Sequence, residues 1–360
     1  MKKEILFAHY PKANVKRYHE LLGAFSNLDN AWNAQFSDFK ILGWKDSTIN
    51  DFLDWKKTID EDKLINTLES EQIKCITRED DDYPSLLKNI YDPPFCLFVK
   101  GSLKNITYPL AIVGPRKYST YGKQMAQDFA SNLAKAGFSI ISGLALGIDG
   151  IAHSSALDIG GKTSAVLGCG INKNNIYPSC HKQLSEKIIA SGGALISEYP
   201  PNTLPNKYTF PMRNRIVAGI SLGTLVIEGA EKSGALITAQ CTLDYGREIF
   251  AIPQNITSPT STGVNKLLKT GAHFVTETKD IIEILNLSEI LEVTKTIDNS
   301  VDSHSTDNKI LSTMSKEPMH IDIIVKKTGL NSHTVSSTLA LLELSGKIRN
   351  LGSMMFVISI

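Results

Sequence analysis

Leu110-Ala-Ile-Val-Gly-Pro-Arg116 is an apolar run broken by glycine, and a helical pattern follows it from Gly122 to Ala136. That unit recurs. Phe138-Ser-Ile-Ile141 ends at Ser142-Gly143, and Thr163-Ser-Ala-Val-Leu167 ends at Gly168-Cys-Gly170. Ala194-Leu-Ile-Ser197, Leu222-Gly-Thr-Leu-Val-Ile227 and Glu248-Ile-Phe-Ala-Ile252 complete the series. Short apolar strands alternating with helices predict an α/β, Rossmann-like, doubly wound and mostly parallel sheet covered on both faces. In such sheets ligands sit beyond the carboxyl ends of the strands. Here those ends collect glycine, which lets a backbone approach a ligand closely and offer its N–H groups to an anion.

Phe210-Pro-Met-Arg-Asn-Arg-Ile-Val-Ala-Gly-Ile-Ser221 reads as a helix start carrying Arg213, Asn214 and Arg215 behind an aromatic ring. A helix start favours anions, and arginine presents a planar fork that matches phosphate. Phosphate binders beside a stacking surface are the chemistry of a single-stranded nucleic-acid site, with Tyr208 or Phe210 as the stacking ring. The same residues also fit a buried helix whose arginines make structural ion pairs. Further cations in this half of the chain are Arg116, Lys117, Lys173, Lys182 and Lys207.

The 360 residues carry a net charge of +1, so any nucleic-acid site is a local patch rather than a property of the whole surface. An apolar content of 42% and a charged content of 21% place the chain among soluble globular proteins of two or three domains. Its five cysteines form no C-x-x-C pair and its eight histidines no metal spacing, so neither metal nor cofactor is expected. Such cysteine usage suits a reducing cytoplasm. Neither a secretory leader nor a membrane span is expected.

None of the glycine turns fits the dinucleotide fingerprint, and each also reads as a tight strand–helix turn. Gly161-Lys162-Thr163 lacks the glycine of a P-loop, since Ala156 stands there, and it opens a strand rather than a helix. Asp149 and His153, four apart on one helix face, read either as an acid–base pair or as a cap and a packed histidine.

Outside the sheet region, all three tryptophans fall at Trp32, Trp44 and Trp55, in a stretch of short helical patterns. The expected organisation is a helical module over 1–72, the sheet domain over 73–285, a linker over 286–308 and a winged helix over 309–360. The last unit has helical patterns at Ile310–Met314, Ile321–Lys327 and Ser332–Leu344, then a wing to Ile358. Its third helix carries no Lys or Arg, unlike most major-groove readers, so protein contact and weak duplex binding both stay open.

Ordered motifs now converge on one family. They include Asp82-Tyr-Pro-Ser-Leu-Leu87, Val113-Gly-Pro-Arg-Lys-Tyr-Ser-Thr-Tyr-Gly122 and Ser142-Gly-Leu-Ala-Leu-Gly-Ile-Asp-Gly-Ile-Ala-His153. Ile176-Tyr-Pro178, Ser197-Glu-Tyr-Pro200, Phe210–Ser221 and Ser233-Gly-Ala-Leu-Ile-Thr-Ala239 continue the series. With them the chain resembles the DNA-processing protein A (DprA, or Smf) family in its long form, with an N-terminal module of SAM or helix-hairpin-helix type. The resemblance implies a non-enzymatic binder of single-stranded DNA that protects incoming strands and helps load RecA recombinase in natural transformation. It also implies a homodimer formed through the Rossmann-like domain. Carried onto this sequence, the DNA-binding residues are Gly114, Pro115, Arg116, Lys182, Phe210, Arg213, Asn214 and Arg215. Gly143, Gly147, Asp149, Gly168 and Gly170 shape the pocket. Pro115, Leu146 and His181 depart from residues frequent in the family.

Two other functions compete. Gly223-Thr224-Leu-Val-Ile-Glu228 partially resembles a signature of nucleoside-monophosphate phosphoribohydrolases, with Glu228 as the group that polarises a ribose. The winged module alternatively makes the chain a DNA-binding regulator.

Overall fold

The computed structural model describes residues 1–287, 306–314, 317–344, 347–352 and 354–358. Two compact units divide the chain, Met1–Leu287 and Ser288–Ile360. Most of the linker expected at 286–308 lies outside the described residues.

The first unit opens with short helices between Lys3 and Ser70, wrapped around an aromatic core. Phe52 is 1% exposed and meets Phe7, Tyr10, Phe39 and Trp44 at ring-centroid distances of 5.2–6.2 Å, mostly edge to face. Phe95, just ahead of the second strand, stacks on Tyr18 at 4.6 Å and meets Phe7 at 5.5 Å. Those contacts fasten the helical module to the sheet.

The sheet has nine strands: β1 (Lys74–Thr77), β2 (Cys96–Gly101), β3 (Leu110–Val113), β4 (Ile140–Ser142), β5 (Thr163–Leu167), β6 (Ala194–Ser197), β7 (Gly223–Val226), β8 (Glu248–Ala251) and β9 (His273–Phe274). Their order is β1-β2-β6-β5-β4-β3-β7-β8-β9. All pairings from β6 across to β9 are parallel, and β2 runs antiparallel to both β1 and β6. Every residue of β3, β5, β6 and β7 is buried, as a parallel sheet covered on both faces requires. The helix Thr120–Lys135 shows why the covers fit. Ser119 caps it by accepting from the Gly122 N–H at 2.9 Å, and it buries Ala126, Phe129, Ala130 and Leu133 at helical spacing.

From β3 the chain steps outward through β4, β5 and β6. It then returns along the helix Thr209–Ile220 to the other side of β3 as β7. The winding direction reverses there, and a crevice opens at the carboxyl ends of the strands.

The second unit contains helices Thr306–Leu311, Ile321–Thr328 and Ser332–Leu344 with strands β10 (Met319–His320), β11 (Ile348–Asn350) and β12 (Met355–Ile358) in the order β10-β12-β11. Ile324, Val335, Leu339, Leu342 and Phe356 form its core. Its first helix begins ahead of the stretch expected from the apolar pattern. The third helix exposes His333, Ser336, Ser337, Leu341 and Glu343, so its solvent face presents no lysine or arginine.

His153 resolves to the packed alternative, whereas Asp149 is not a helix cap: it accepts from the Gly143 and Ala145 N–H groups of the turn ahead of its helix. Thr163 Oγ1 donates to the Ile140 carbonyl at 2.7 Å, so it accepts from His153 Nδ1 at 2.7 Å, which fixes the ring's tautomer. Nε2 has no partner among the described residues. Burial, aided by His181 and Arg213, pushes the His153 pKa down to about 3. Protonation therefore favours the unfolded chain, in which histidine titrates near 6.5. Stability through this residue is complete above that value. It falls by about 1.4 kcal/mol per pH unit as pH drops toward the folded-state value. Urea midpoints measured across this window are expected to decline less steeply in a His153→Asn variant.

Candidate functional site

The turn after β3, Gly114-Pro115-Arg116, lies against the start of the helix Ile148–Asp158. A Cβ on Gly114 would lie 2.5 Å from the Ile148 side chain. Gly147 has φ +85°, and a Cβ there would come within 2.3 Å of the Pro115 carbonyl oxygen, so only glycine closes this turn. The next turn, after β4, is tied down from several sides. Asp149 Oδ2 accepts from the Gly143 N–H at 3.1 Å and the Ala145 N–H at 3.3 Å. Between them Leu144, fully buried, holds a left-handed φ of 56°, a conformation that persists only when its surroundings impose it. Arg213 supplies the remaining restraint. Its Nη1 donates to the Gly143 carbonyl at 2.6 Å and to the Val166 carbonyl. Gly143 has no room for a side chain, since a Cβ would sit 2.3 Å from the Arg213 guanidinium.

Arg213 is 4% exposed, so it acts as a strut joining the ends of β4 and β5 rather than as a free cation. Burial lowers its pKa and raises that of Asp149, and each group opposes the shift of the other. The pair is a neutral floor beneath the crevice.

Above that floor lies a cleft of about 330 Å³. It gathers Gly114, Pro115, Arg116, Gly143, Asp149, Phe210, Arg213 and Asn214 from the residues expected in sequence, together with Lys207. Arg116 and Lys207 are exposed, and neither forms an ion pair among the described residues. The Arg116 guanidinium lies 5.9 Å from the Phe210 ring centroid, within cation–π range, and Lys207 Nζ lies 5.0 Å from that of Tyr208. Gly168 sets the position of Phe210, because a Cβ on it would strike the ring at 2.8 Å, and Thr209 Oγ1 donates to the Gly168 carbonyl. Asn214 donates to the Gly234 carbonyl at 3.2 Å and links the helix Thr209–Ile220 to the start of Gly234–Asp244. Two exposed cations, aromatic rings and the first turns of helices on one rim can hold a chain of phosphates with bases attached.

Five expected site residues do not line this cleft; Gly147 and Gly168 pack behind Pro115 and Phe210, which do, and the other three serve elsewhere. Arg215 points to the far side of its helix. There it donates to Glu198 and to the Asp92 carbonyl at 2.7 Å, with its side chain 7% exposed. It is the structural ion pair that the sequence left open, and its charge is spent internally. Gly170 faces the Pro200–Thr203 stretch, with its N–H donating to the Thr203 carbonyl at 2.8 Å. Lys182 is half-buried at the start of the helix Lys182–Ala190 and does not line the cleft. Its neighbour His181 does reach the site. His181 Nδ1 donates to the Leu144 carbonyl at 2.9 Å and steadies the left-handed turn.

Glu228 does not serve the crevice. It is fully buried and accepts from the Ser119 N–H at 3.0 Å, from the Ser119 hydroxyl and from Thr260 Oγ1 at 3.3 Å. Gly122 leaves room for it, since a Cβ there would lie 2.3 Å from its carboxyl carbon. A carboxylate enclosed in this way cannot approach a ribose in the cleft. The far wall was not anticipated as part of the site. It comes from Ser233, Gly234, Ile237 and Thr238 after β7. The signal was present in Ser233-Gly234, where serine accepts from the Ala235 N–H at 3.3 Å as a helix cap.

Residues 74–286 match the model of the family described as DNA recombination-mediator protein A, and residues 298–353 match that of the DprA winged helix domain. The chain is 39% identical over 288 residues to Protein Smf of Escherichia coli, across 78% of this chain and 76% of that protein. A solved structure of DNA processing protein A from Streptococcus pneumoniae aligns with a TM-score of 0.67 at 34% identity, over 79% of this chain and 98% of that one. DNA processing protein A from Helicobacter pylori, described for its single-stranded DNA binding mode, aligns with a TM-score of 0.53 at 30% identity, over 60% of this chain and 97% of that one.

Proposed function

The chain belongs to the DNA recombination-mediator protein A family, and from that premise we propose that its cleft binds single-stranded DNA without cleaving it. One observation carries this reading: Arg116, Lys207 and Phe210 converge over a charge-neutral floor at the point where the sheet reverses its winding. The cations track phosphates while aromatic faces take bases, a combination tolerant of sequence. Binding rather than chemistry fits the charge inventory. The carboxylate lining this cleft, Asp149, is 7% exposed and occupied by backbone N–H groups. In the cell, the protein protects incoming single strands and passes them to a RecA-type recombinase during natural transformation, working as a pair of copies joined through the Rossmann-like domain.

Titration of a fluorescent oligonucleotide, single- or double-stranded, at about 50 and 200 mM salt tests the proposal. Tighter binding of the single strand is expected, with little sequence preference and affinity falling as salt rises. Equal affinity for duplex, or a strong sequence preference, would transfer the activity to the winged unit.

A further inference from the structure

Beside the cleft, in a niche that Lys207 does not line, Tyr177 and Leu146 form a lip that the phosphate-binding reading does not use. Tyr177 is 43% exposed and Leu146 45%. The Tyr177 and Phe210 ring centroids are 5.6 Å apart with the planes at 46°, and Arg116 lines the same niche. The niche is apolar apart from that guanidinium and the backbone. Its volume is only about 20 Å³, too small to admit a nucleobase edge-first. A planar ring can only lie face-on across it.

The lip is held rigid by the hydrogen bonds of the turn after β4 and by two more. The turn carrying Leu146 is anchored through Gly143, Leu144 and Ala145, and the Tyr177 segment is joined to it by His181 on Leu144. The His181 N–H also donates to the Pro178 carbonyl at 2.9 Å, and Cys169 Sγ donates to the Asn175 carbonyl at 3.3 Å. A rigid apolar shelf loses little conformational entropy when a base settles on it.

Resting on the reading of the cleft as a single-stranded DNA site, we propose that the Tyr177–Leu146 lip takes one unstacked nucleobase from the nucleotide whose phosphate Arg116 holds. Duplex is then refused for a physical reason, because both faces of a paired, stacked base are already covered. Tyr177 is a binding residue in this scheme, and its contribution is independent of salt.

The experiment compares binding of an oligothymidylate with binding of an abasic oligomer of the same length, which keeps the phosphates and lacks the bases. The intact chain is expected to prefer the thymidylate about tenfold or more, the range of one base–aromatic contact. Tyr177→Ala should remove most of that preference, leaving the abasic affinity and the salt slope unchanged. Leu146→Ser, a surface change that spares the fold, should do the same to a smaller degree. Equal binding of the two oligomers by the intact chain overturns the inference while leaving the cleft a phosphate site. So does an equal loss on both oligomers in Tyr177→Ala together with an unchanged ratio in Leu146→Ser. Failure to bind either oligomer overturns the cleft reading and this inference with it.

Discussion

Replacing Arg213 with alanine is expected to destabilise the first unit by about 3–5 kcal/mol, the cost of stranding buried polar and charged groups. The substitution leaves the Gly143 and Val166 carbonyls without their donor and leaves Asp149 buried without its cation. A cavity of guanidinium size remains between the ends of β4 and β5. Leu144 then loses one restraint on its left-handed backbone, so the turn bearing Leu146 relaxes and DNA binding falls as well. Arg213→Lys should recover only part of the stability, because an ammonium keeps the charge but loses the Nε donor to Asn214 Oδ1 and the planar group packed against Gly143. Urea unfolding at neutral pH decides the matter. If Arg213→Ala unfolded at the wild-type midpoint and lost only DNA affinity, the residue would be a ligand contact and the strut reading would be wrong.

Arg213 also shows where sequence reading stops. The strands were legible because burial on both faces leaves uninterrupted apolar runs. β3, β5 and β6 fall where the runs at Leu110, Thr163 and Ala194 place them. β1 and β9 went unrecognised. They are short edge strands, with buried residues confined to part of β1 and to none of β9, so their apolar signal is weak. The glycine turns were legible as turns. What each glycine accommodates was not, since Gly143 makes room for an arginine seventy residues away. Arg213 and Arg215 looked equivalent as phosphate binders. Two residues apart on a helix are about 200° around its axis, so at most one could face the cleft. Choosing between them required the partners. Those of Arg215 are Glu198, 17 residues away, and Asp92, 123 residues away. Distances of that kind are set by the sheet order, which no local pattern encodes.

Arg116 and Lys207 give the opposite behaviour. The Arg116→Ala, Lys207→Ala double variant is expected to keep the wild-type stability to within about 0.5 kcal/mol, as surface substitutions away from structural bonds do. Both side chains are exposed, and the contacts that fix the turn around Arg116 are made by Gly147 and Pro115, not by its guanidinium. Affinity for single-stranded DNA should nevertheless fall by about ten- to a hundredfold, from the loss of two charge-assisted contacts. The magnitude of the salt slope should drop by about 1.4, since each phosphate neutralised on a single strand contributes about 0.7. This second readout separates a direct phosphate contact from a distant effect on shape. A misshapen cleft would weaken binding without changing the number of counterions released. An unaltered slope in a stable, correctly folded double variant would mean that the phosphates lie elsewhere, and Lys182 and Lys117 would be the next cations to remove.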